Sequence, residues 1–315
     1  MNITLRIIAF IALLLAGCGG EKQKTETNTS IVFGVLPALQ SLPLVVAQEN
    51  GFFADAGLDV ELIMFNTAAE KDIALTSGAI DGYFGDLFTS TVIEVNGFDI
   101  AIVARNYETR LDRRMFGLLA KPGSAYHTAS DLINIPIAVS SNSVIEYVAE
   151  QLLRNDSVSS EGMAFMEAKN IGLRMQMLLS GQIEAAVLPE PLVTAALSRG
   201  GSLLADDSAM STSQTVLIFA QSFIDDNPKL IKDFLDAIAE ANGYINEYPD
   251  DVRSLMVTHN RLPEKLRDSY PVPRFPDLTL PSAEIMEPVA AWLMKRKVIS
   301  RMPSYDELVD GRFIN

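Results

Sequence analysis

Apolar runs and amphipathic stretches alternate along residues 31–198. The segment 31–36 is apolar throughout, as in a buried parallel strand, and 41–54 carries apolar residues at helical spacing. Strands that alternate with helices are typical of a parallel sheet covered by helices on both faces. The pattern therefore predicts the α/β class. The series continues with predicted strands at 58–65, 80–84, 100–104 and 115–120 and predicted helices at 68–75 and 86–95.

One pattern occurs twice at a fixed distance along the chain. Ser77-Gly78 before an apolar strand recurs as Ser180-Gly181, 103 positions later, and the same offset lays 31–36 over 134–139. Chance is the alternative explanation, because Ser-Gly after a helix is common. Further matches in the same register favour two related α/β lobes with a cleft between them. The second unit has predicted strands at 135–139, 162–166 and 183–188 and helices at 144–154, 170–179 and 191–198.

The pattern changes after a last predicted strand at 214–220. A long amphipathic helix is followed by shorter ones, and this helical C-terminal part is expected to cover the first lobe. The chain would then cross twice between two Rossmann-like lobes. We predict lobe one at 31–119 and 220–315 and lobe two at 120–219. The predicted helices of the C-terminal part lie at 228–248, 251–258, 282–295 and 305–309.

The first residues have the features of a bacterial lipoprotein signal. Arg6 precedes an apolar run at 7–15 that is too short to span a bilayer, and Leu15-Ala16-Gly17-Cys18 resembles a lipobox. We predict a signal peptide at 1–17, lipidation at Cys18 and a polar tether at 18–30. An ordinary secretory signal is the alternative. Both predict an extracytoplasmic protein, and the lipobox anchors it to the bacterial cell membrane, on the periplasmic side or at the cell surface.

Charge and residue usage limit the function. A formal charge of −15 argues against nucleic acid and anionic lipid surfaces as partners, so the predicted membrane contact is the lipid anchor alone. His127 and His259 are the only histidines and stand apart, and Cys18 is the only cysteine. No metal-ligand spacing, phosphate loop or nucleophile motif occurs, so we predict no metal, no cofactor and no catalytic residue.

Candidate ligand-binding residues lie in the loops that follow predicted strands. Ligands of open α/β sheets bind beyond the carboxyl ends of the strands, which selects the loops 37–41, 85–87, 140–143 and 189–191. Carboxylates there can accept hydrogen bonds from ligand N–H groups, and the Ser-rich loop can either cap its helix or hold an anion. Asp86 can equally cap its own helix. The candidates are Pro37, Leu39, Gln40, Ser41, Asp86, Leu87, Ser140, Ser141, Asn142, Ser143 and Glu190.

Several motifs follow one another in a specific order along the chain. They are Gly34-Val35-Leu36-Pro37, Leu188-Pro189-Glu190-Pro191 and the segments 47–53, 57–60, 77–82, 246–249 and 308–313. In this order they resemble the motifs of substrate-binding proteins of ABC importers, in the group for nitrate, sulfonates, taurine and thiamine pyrimidine precursors. The resemblance implies a type II periplasmic-binding fold, a hinged cleft, a small-molecule ligand, and permease and ATPase partners.

The ligand stays open at this point. Binders of thiamine precursors tend to have an aromatic residue directly after the first strand, and the loop 37–41 has none. A sulfonate, an amino-acid-like zwitterion, a nitrogen heterocycle and an inorganic oxyanion such as nitrate are all compatible with the loops. We expect a monomeric solute-binding lipoprotein. The alternative is an enzyme on the same fold in pyrimidine or menaquinone precursor metabolism, although such relatives usually lack a lipobox.

Overall fold

Two five-stranded sheets form the framework of the computed structural model, which describes residues 29–210 and 213–314. The first sheet has the order β2-β1-β3-β10-β4 and the second β7-β6-β8-β5-β9. The first contains β1 (Ser30–Val35), β2 (Asp59–Met64), β3 (Gly82–Asp86), β4 (Ile100–Glu108) and β10 (Gln214–Ala220). The second contains β5 (Phe116–Ala120), β6 (Pro136–Val139), β7 (Ala164–Glu167), β8 (Ala185–Pro189) and β9 (Ser202–Asp206).

Both sheets are mixed, because each of them contains one antiparallel strand beside the parallel strands that the sequence predicted. β1 pairs in parallel with β2 and β3, and β6 with β7 and β8. β10 runs antiparallel to β3 and β4, and β5 runs antiparallel to β8 and β9. These antiparallel strands, β5 and β10, are the first strands that the chain forms after crossing from the other sheet.

The helices cover these sheets. The predicted helix at 41–54 is interrupted, because Gly51 adopts a left-handed conformation with φ of 82° and ends its first half. The helices are α1 (Leu42–Glu49), α2 (Phe52–Asp55), α3 (Ala68–Thr76), α4 (Leu87–Val95), α5 (Val144–Asn155), α6 (Ile171–Leu179), α7 (Leu192–Leu197), α8 (Gln221–Asp226), α9 (Pro228–Glu247), α10 (Arg253–His259), α11 (Ala283–Lys295) and α12 (Tyr305–Leu308).

The sequence repeat corresponds to equivalent elements. At the offset of 103 residues, α3 falls on α6 and β3 falls on β8, residue for residue. Both helices end before a glycine with positive φ, Gly78 at 73° and Gly181 at 76°. The helix and the strand that follows it therefore have the same lengths in both lobes.

The C-terminal helices pack on the first sheet and its helices. α9 lies on α1 and α2, where the Phe234 ring is stacked on Phe53 at 5.1 Å and contacts Phe33 at 4.9 Å. α11 packs on α4. Below, lobe one means the first sheet with the helices on it, and lobe two means the second sheet with α5, α6 and α7. No helix in the described ranges has both the length and the apolar character needed to cross a membrane.

The strands place the divisions of the chain slightly earlier than predicted. β5 begins at Phe116 and belongs to the second sheet, and β10 begins at Gln214 and belongs to the first. The predicted boundaries at 119 and 219 would cut through these two strands. The assignment of 31–119 with 220–315 and of 120–219 to separate domains stays a prediction.

Hydrogen bonds join the two crossovers, which are the segments between β4 and β5 and between β9 and β10. The backbone N–H of Thr109 donates to the carbonyl of Ser213 at 3.1 Å. Asp207 is fully buried, and its Oδ1 accepts from the N–H groups of Met115 and Phe116, both at 2.9 Å. Burial raises the pKa of Asp207 from 3.8 to about 6, although these N–H groups favour the carboxylate.

Asp207→Asn is expected to change how stability depends on pH. The folded protein holds the Asp207 proton more tightly than the unfolded chain does, so its stabilising contribution is full below pH 3.8 and is lost as pH rises through about 6. Asn keeps the acceptor oxygen but cannot ionise. The free energy of unfolding of the variant should exceed that of the wild type by up to about 3 kcal/mol above pH 6, and the two should converge near pH 4.

Urea unfolding followed by circular dichroism across this pH range measures the difference. Asp55→Asn, at an exposed position, is the control. A difference between Asp207→Asn and wild type that is the same at every pH would contradict the assignment.

Candidate functional site

A cavity of about 120 Å³ lies where the carboxyl ends of β1 and β3 face those of β6 and β8. Because neighbouring parallel strands end at the same edge of a sheet, the loops that follow them converge there. The lining from lobe one includes Leu36, Pro37, Ala38, Gln40, Phe84, Gly85, Asp86, Gln214 and Thr215. The lining from lobe two includes Phe116, Ser140, Ser143, Val144, Ile145, Ile171, Pro189 and Leu192.

The structure brings five of the predicted ligand-binding residues to this cavity and leaves six outside its lining. Those that line it are Pro37, Gln40, Asp86, Ser140 and Ser143. Those outside are Leu39, Ser41, Leu87, Ser141, Asn142 and Glu190. Leu39, Ser41 and Leu87 are buried, whereas Ser141 and Asn142 point to solvent at exposed positions. The predicted lipidation site, Cys18, lies outside the described residues.

Ser41 has a structural task in the first loop. Its hydroxyl donates to the carbonyls of Leu36 at 2.9 Å and Ala38 at 2.8 Å. The buried side chain of Asn260 donates to the same Ala38 carbonyl at 2.7 Å. These bonds fix the turn after β1, and Pro37 and Gln40 are presented to the cavity from it.

Asp86 caps the helix that follows β3. Its Oδ1 accepts from the backbone N–H groups of Phe88 at 2.9 Å and Thr89 at 3.0 Å, whereas Oδ2 has a single longer contact, with the Thr89 hydroxyl at 3.3 Å. Burial raises the pKa of the Asp86 carboxyl, and the two N–H groups and Lys71 act in the opposite direction. Both roles that the sequence left open are therefore compatible, because one oxygen holds the cap while the other has spare accepting capacity.

A buried arginine stands behind Ser140. Arg174 is 0% exposed and donates to the Ser140 hydroxyl at 2.6 Å and to the carbonyls of Ala168 and Val187 at 2.9 and 2.8 Å. It makes no ion pair with any described carboxylate, and burial lowers its pKa to about 10. Because the Ser140 oxygen accepts from a guanidinium, its proton is free to be donated towards the cavity.

The rest of this loop is occupied by the protein's own carboxylates. The N–H of Ser141 donates to Glu167 at 3.1 Å, and the N–H of Asn142 donates to Glu146 at 2.6 Å. The Ser143 hydroxyl caps α5 by accepting from the N–H of Ile145 at 3.2 Å. An anion at this helix start would therefore find fewer free N–H groups than the sequence implied, and the hydroxyl of Ser140 is the main donor left.

Lobe one has a buried cation at the equivalent position of the repeat. Lys71 is 1% exposed, lies 3.1 Å from Asp72 and has its Nζ 2.9 Å from the centre of the Tyr83 ring. Burial lowers the pKa of Lys71 to about 8, although Asp72 and Asp86 raise it. Lys71 and Arg174 are 103 residues apart, so the sequence repeat is the signal that relates these two cations, neither of which was among the predicted site residues.

Among the lining residues that the sequence did not identify, two polar ones are buried. Gln214 and Thr215 open the otherwise apolar strand β10 and are 1% and 6% exposed. The amide nitrogen and amide oxygen of Gln214 have no hydrogen-bond partner among the described residues, and the Thr215 hydroxyl has none either. The sequence signal for this pair is the presence of two polar residues at the start of an apolar strand. Ordinary loop boundaries show the same pattern, so the signal is not specific.

Glu190 lies next to a neighbouring cavity and has protein partners. Its side chain is 5% exposed, accepts from Arg114 Nε at 2.7 Å and from the Thr194 hydroxyl at 3.0 Å, and receives the Tyr270 hydroxyl at 3.1 Å. Burial and the Glu190 carboxylate raise the pKa of Tyr270, so that this hydroxyl stays a donor. Glu190 thus joins lobe two to the crossover and to a loop of lobe one.

Comparisons with known proteins give a family for this chain and a similar stretch in a curated protein. The sequence model of the family described as NMT1/THI5 like matches residues 38–252, more than half of the chain. The chain is 34% identical over 100 residues to the bicarbonate-binding protein CmpA of Synechococcus elongatus, an alignment that covers 25% of this chain and 22% of that protein. The match therefore spans about a fifth of the length of this curated relative.

Solved structures show the same fold. The periplasmic aliphatic sulphonate binding protein SsuA from Escherichia coli superimposes with a TM-score of 0.78 at 16% identity, over 90% of this chain and 98% of that one. The periplasmic nitrate-binding protein NrtA from Synechocystis PCC 6803 gives a TM-score of 0.67 at 14% identity, over 89% of this chain and 84% of that one. The predicted bilobal periplasmic-binding fold is confirmed.

Glu190→Gln is expected to destabilise the protein. The substitution keeps the shape but removes the charge that Arg114, Thr194 and Tyr270 contact, so the free energy of unfolding should fall by about 2 kcal/mol. Denaturant unfolding measures the change. Glu240→Gln, at an exposed helix position, should have little effect. Equal stability of the Glu190→Gln variant and the wild type would show that these bonds contribute nothing net.

Proposed function

The chain belongs to the NMT1/THI5-like family, and from this premise we propose that it is an extracytoplasmic solute-binding protein that delivers a small polar organic solute to an ABC importer. The observation that carries the proposal is a cavity lined by polar side chains from both lobes. A ligand that contacts both lobes favours the form in which they are closed on each other. This coupling allows a permease to recognise the loaded form.

The relatives support the same role. CmpA, SsuA and NrtA are named as binding proteins for bicarbonate, aliphatic sulphonates and nitrate. By analogy with them, the partners of this chain are a permease and its ATPase, and the chain acts outside the cytoplasm as a monomer. We assign no catalytic step to the cavity.

The polar groups of the cavity favour a solute with two different ends. Asp86 in lobe one can accept from an amine or another N–H group, and Ser140 in lobe two can donate to a sulfonate, carboxylate or carbonyl oxygen. Apolar residues between them, such as Phe84 and Phe116, suit a carbon skeleton. The alternative ligand is an inorganic oxyanion such as nitrate, which the positive charge of Arg174 behind Ser140 favours.

A bound solute should be lost when either end of the cavity is altered. Native mass spectrometry of protein purified without denaturation should find one small molecule per chain. Ser140→Ala and Asp86→Asn should bind that compound about 10–100-fold more weakly in calorimetry, because a hydrogen bond to a charged group contributes about 1.5–3 kcal/mol. Asn preserves the helix cap at position 86.

Ser141→Ala is the matched control, since Ser141 belongs to the same loop but is exposed, and it should bind as the wild type does. The proposal is wrong if no molecule co-purifies and if taurine, ethanesulfonate and nitrate all leave the melting temperature unchanged.

The lipid anchor is a second part of the proposal. The lipobox at residues 15–18 supports processing at Cys18 and attachment to the membrane through lipid. Cys18→Ser should release the protein from the membrane fraction or leave an unprocessed precursor of higher mass. Unchanged fractionation and unchanged mass of this variant would exclude the anchor.

A further inference from the structure

Gln214 is a polar side chain that the fold does not use. Its backbone is set by the pairing of β10 with β4, where Gln214 lies opposite Glu108. The side chain is 99% buried, lines the cavity, and has neither its amide oxygen nor its amide nitrogen paired within the described residues. Burial of an unpaired amide costs free energy, and such a cost is typical of a group kept for a ligand.

The surroundings of Gln214 add further polar groups. Thr215 is the next residue, pairs with Asp86 across the sheet, and has an unpartnered hydroxyl. The Oδ2 atom of Asp86 has only the contact with Thr89 at 3.3 Å. This end of the cavity therefore offers two donors, the Gln214 amide nitrogen and the Thr215 hydroxyl, beside two acceptors, the Gln214 amide oxygen and the Asp86 carboxylate. Only a bound molecule that brings N–H groups satisfies the acceptors.

A simple oxyanion does not meet this requirement. Sulfonate, nitrate and bicarbonate oxygens can accept from the Gln214 amide nitrogen, but they would face the amide oxygen and the Asp86 carboxylate without a matching donor for each. The cationic side chains that line the cavity, Lys169 and Arg261, are exposed or half-buried, so they stand nearer its mouth than the buried Gln214 does.

We propose that Gln214 recognises an amide-like edge of the solute, in which an N–H donor and a carbonyl acceptor stand side by side, as in a carboxamide or lactam. The two edges would pair reciprocally, with the solute carbonyl accepting from the Gln214 nitrogen and the solute N–H donating to the Gln214 oxygen. Apolar neighbours, including Leu36, Phe84 and Phe116, surround the body of the solute. This assignment rests on the proposed solute-binding function and departs from the oxyanion ligands of the relatives.

The test compares three probes that share one ring: benzamide, benzoate and benzenesulfonate. Ligand-observed NMR at millimolar concentration should detect benzamide on the wild-type protein, and Gln214→Met should weaken its binding at least tenfold. Because Met is close to Gln in shape and carries no amide, the ligand-free variant should unfold at the same or a higher denaturant concentration. Gln182→Met, at an exposed position, is the matched control and should bind as the wild type does.

Three results would each overturn the assignment. The first is tighter binding of benzoate or benzenesulfonate than of benzamide, with no effect of Gln214→Met. The second is the absence of benzamide binding at millimolar concentration, and the third is a loss of stability in Gln214→Met, which would reveal a structural role for the amide. Binding of benzenesulfonate alone would leave the solute-binding function standing. Failure of every probe, together with no co-purifying molecule, would count against both.

Discussion

The shared direction of neighbouring strands determines where the cavity lies. β1 runs parallel to β3 in one sheet, and β6 runs parallel to β8 in the other, so the backbone must leave each pair at one edge. The loops at that edge start helices, and their free polar groups have to be capped or presented to a ligand. Because the two edges face each other, the position of the cavity follows from the strand order. The side chains that line it determine its chemistry.

The repeat gives each lobe a buried cation, but the two differ in how the charge is balanced. Lys71 has the carboxylate of Asp72 at 3.1 Å and the ring of Tyr83 beside it. Arg174 has carbonyls and the Ser140 hydroxyl, and no ion pair with a described carboxylate. A buried charge without an ion pair retains more of its field than one that is paired. Arg174 therefore places positive charge behind the Ser140 side of the cavity, moderated by Glu167, and Asp86 places a carboxylate on the opposite side.

Local patterns predicted the fold better than the site. The offset of 103 residues identified α3 and α6 as equivalent, because helix exits and apolar strands are encoded within a few residues. The partnership of Arg174 with Ser140 joins positions 34 residues apart, and that of Glu190 with Tyr270 joins positions 80 apart. Such contacts depend on how loops from different strands meet, which no short pattern records. Glu190 was predicted from its position after a strand, and this position fixes its place in the fold but leaves its partners undetermined.

The lobes also contact each other away from the crossovers, and this contact bears on how a solute would be held. Trp292 of α11 donates to Glu150 of α5 at 2.9 Å, and Arg296 lies 2.7 Å from Glu146. The ring of Tyr147 packs 5.6 Å from that of Trp292. These bonds span the two lobes without involving the cavity, so they stabilise the arrangement in which α5 and α11 are in contact.

A solute can shift the balance between open and closed forms only by its own preference for one of them. If the contact between α5 and α11 contributes more to closure, a larger fraction of the ligand-free protein is closed. Less of the binding free energy is then needed to close the lobes. Under the proposed function, residues of this contact therefore influence the measured affinity without touching the solute. In that proposal, the cavity side chains select the solute, and the contact between α5 and α11 sets how much of the interaction appears as affinity.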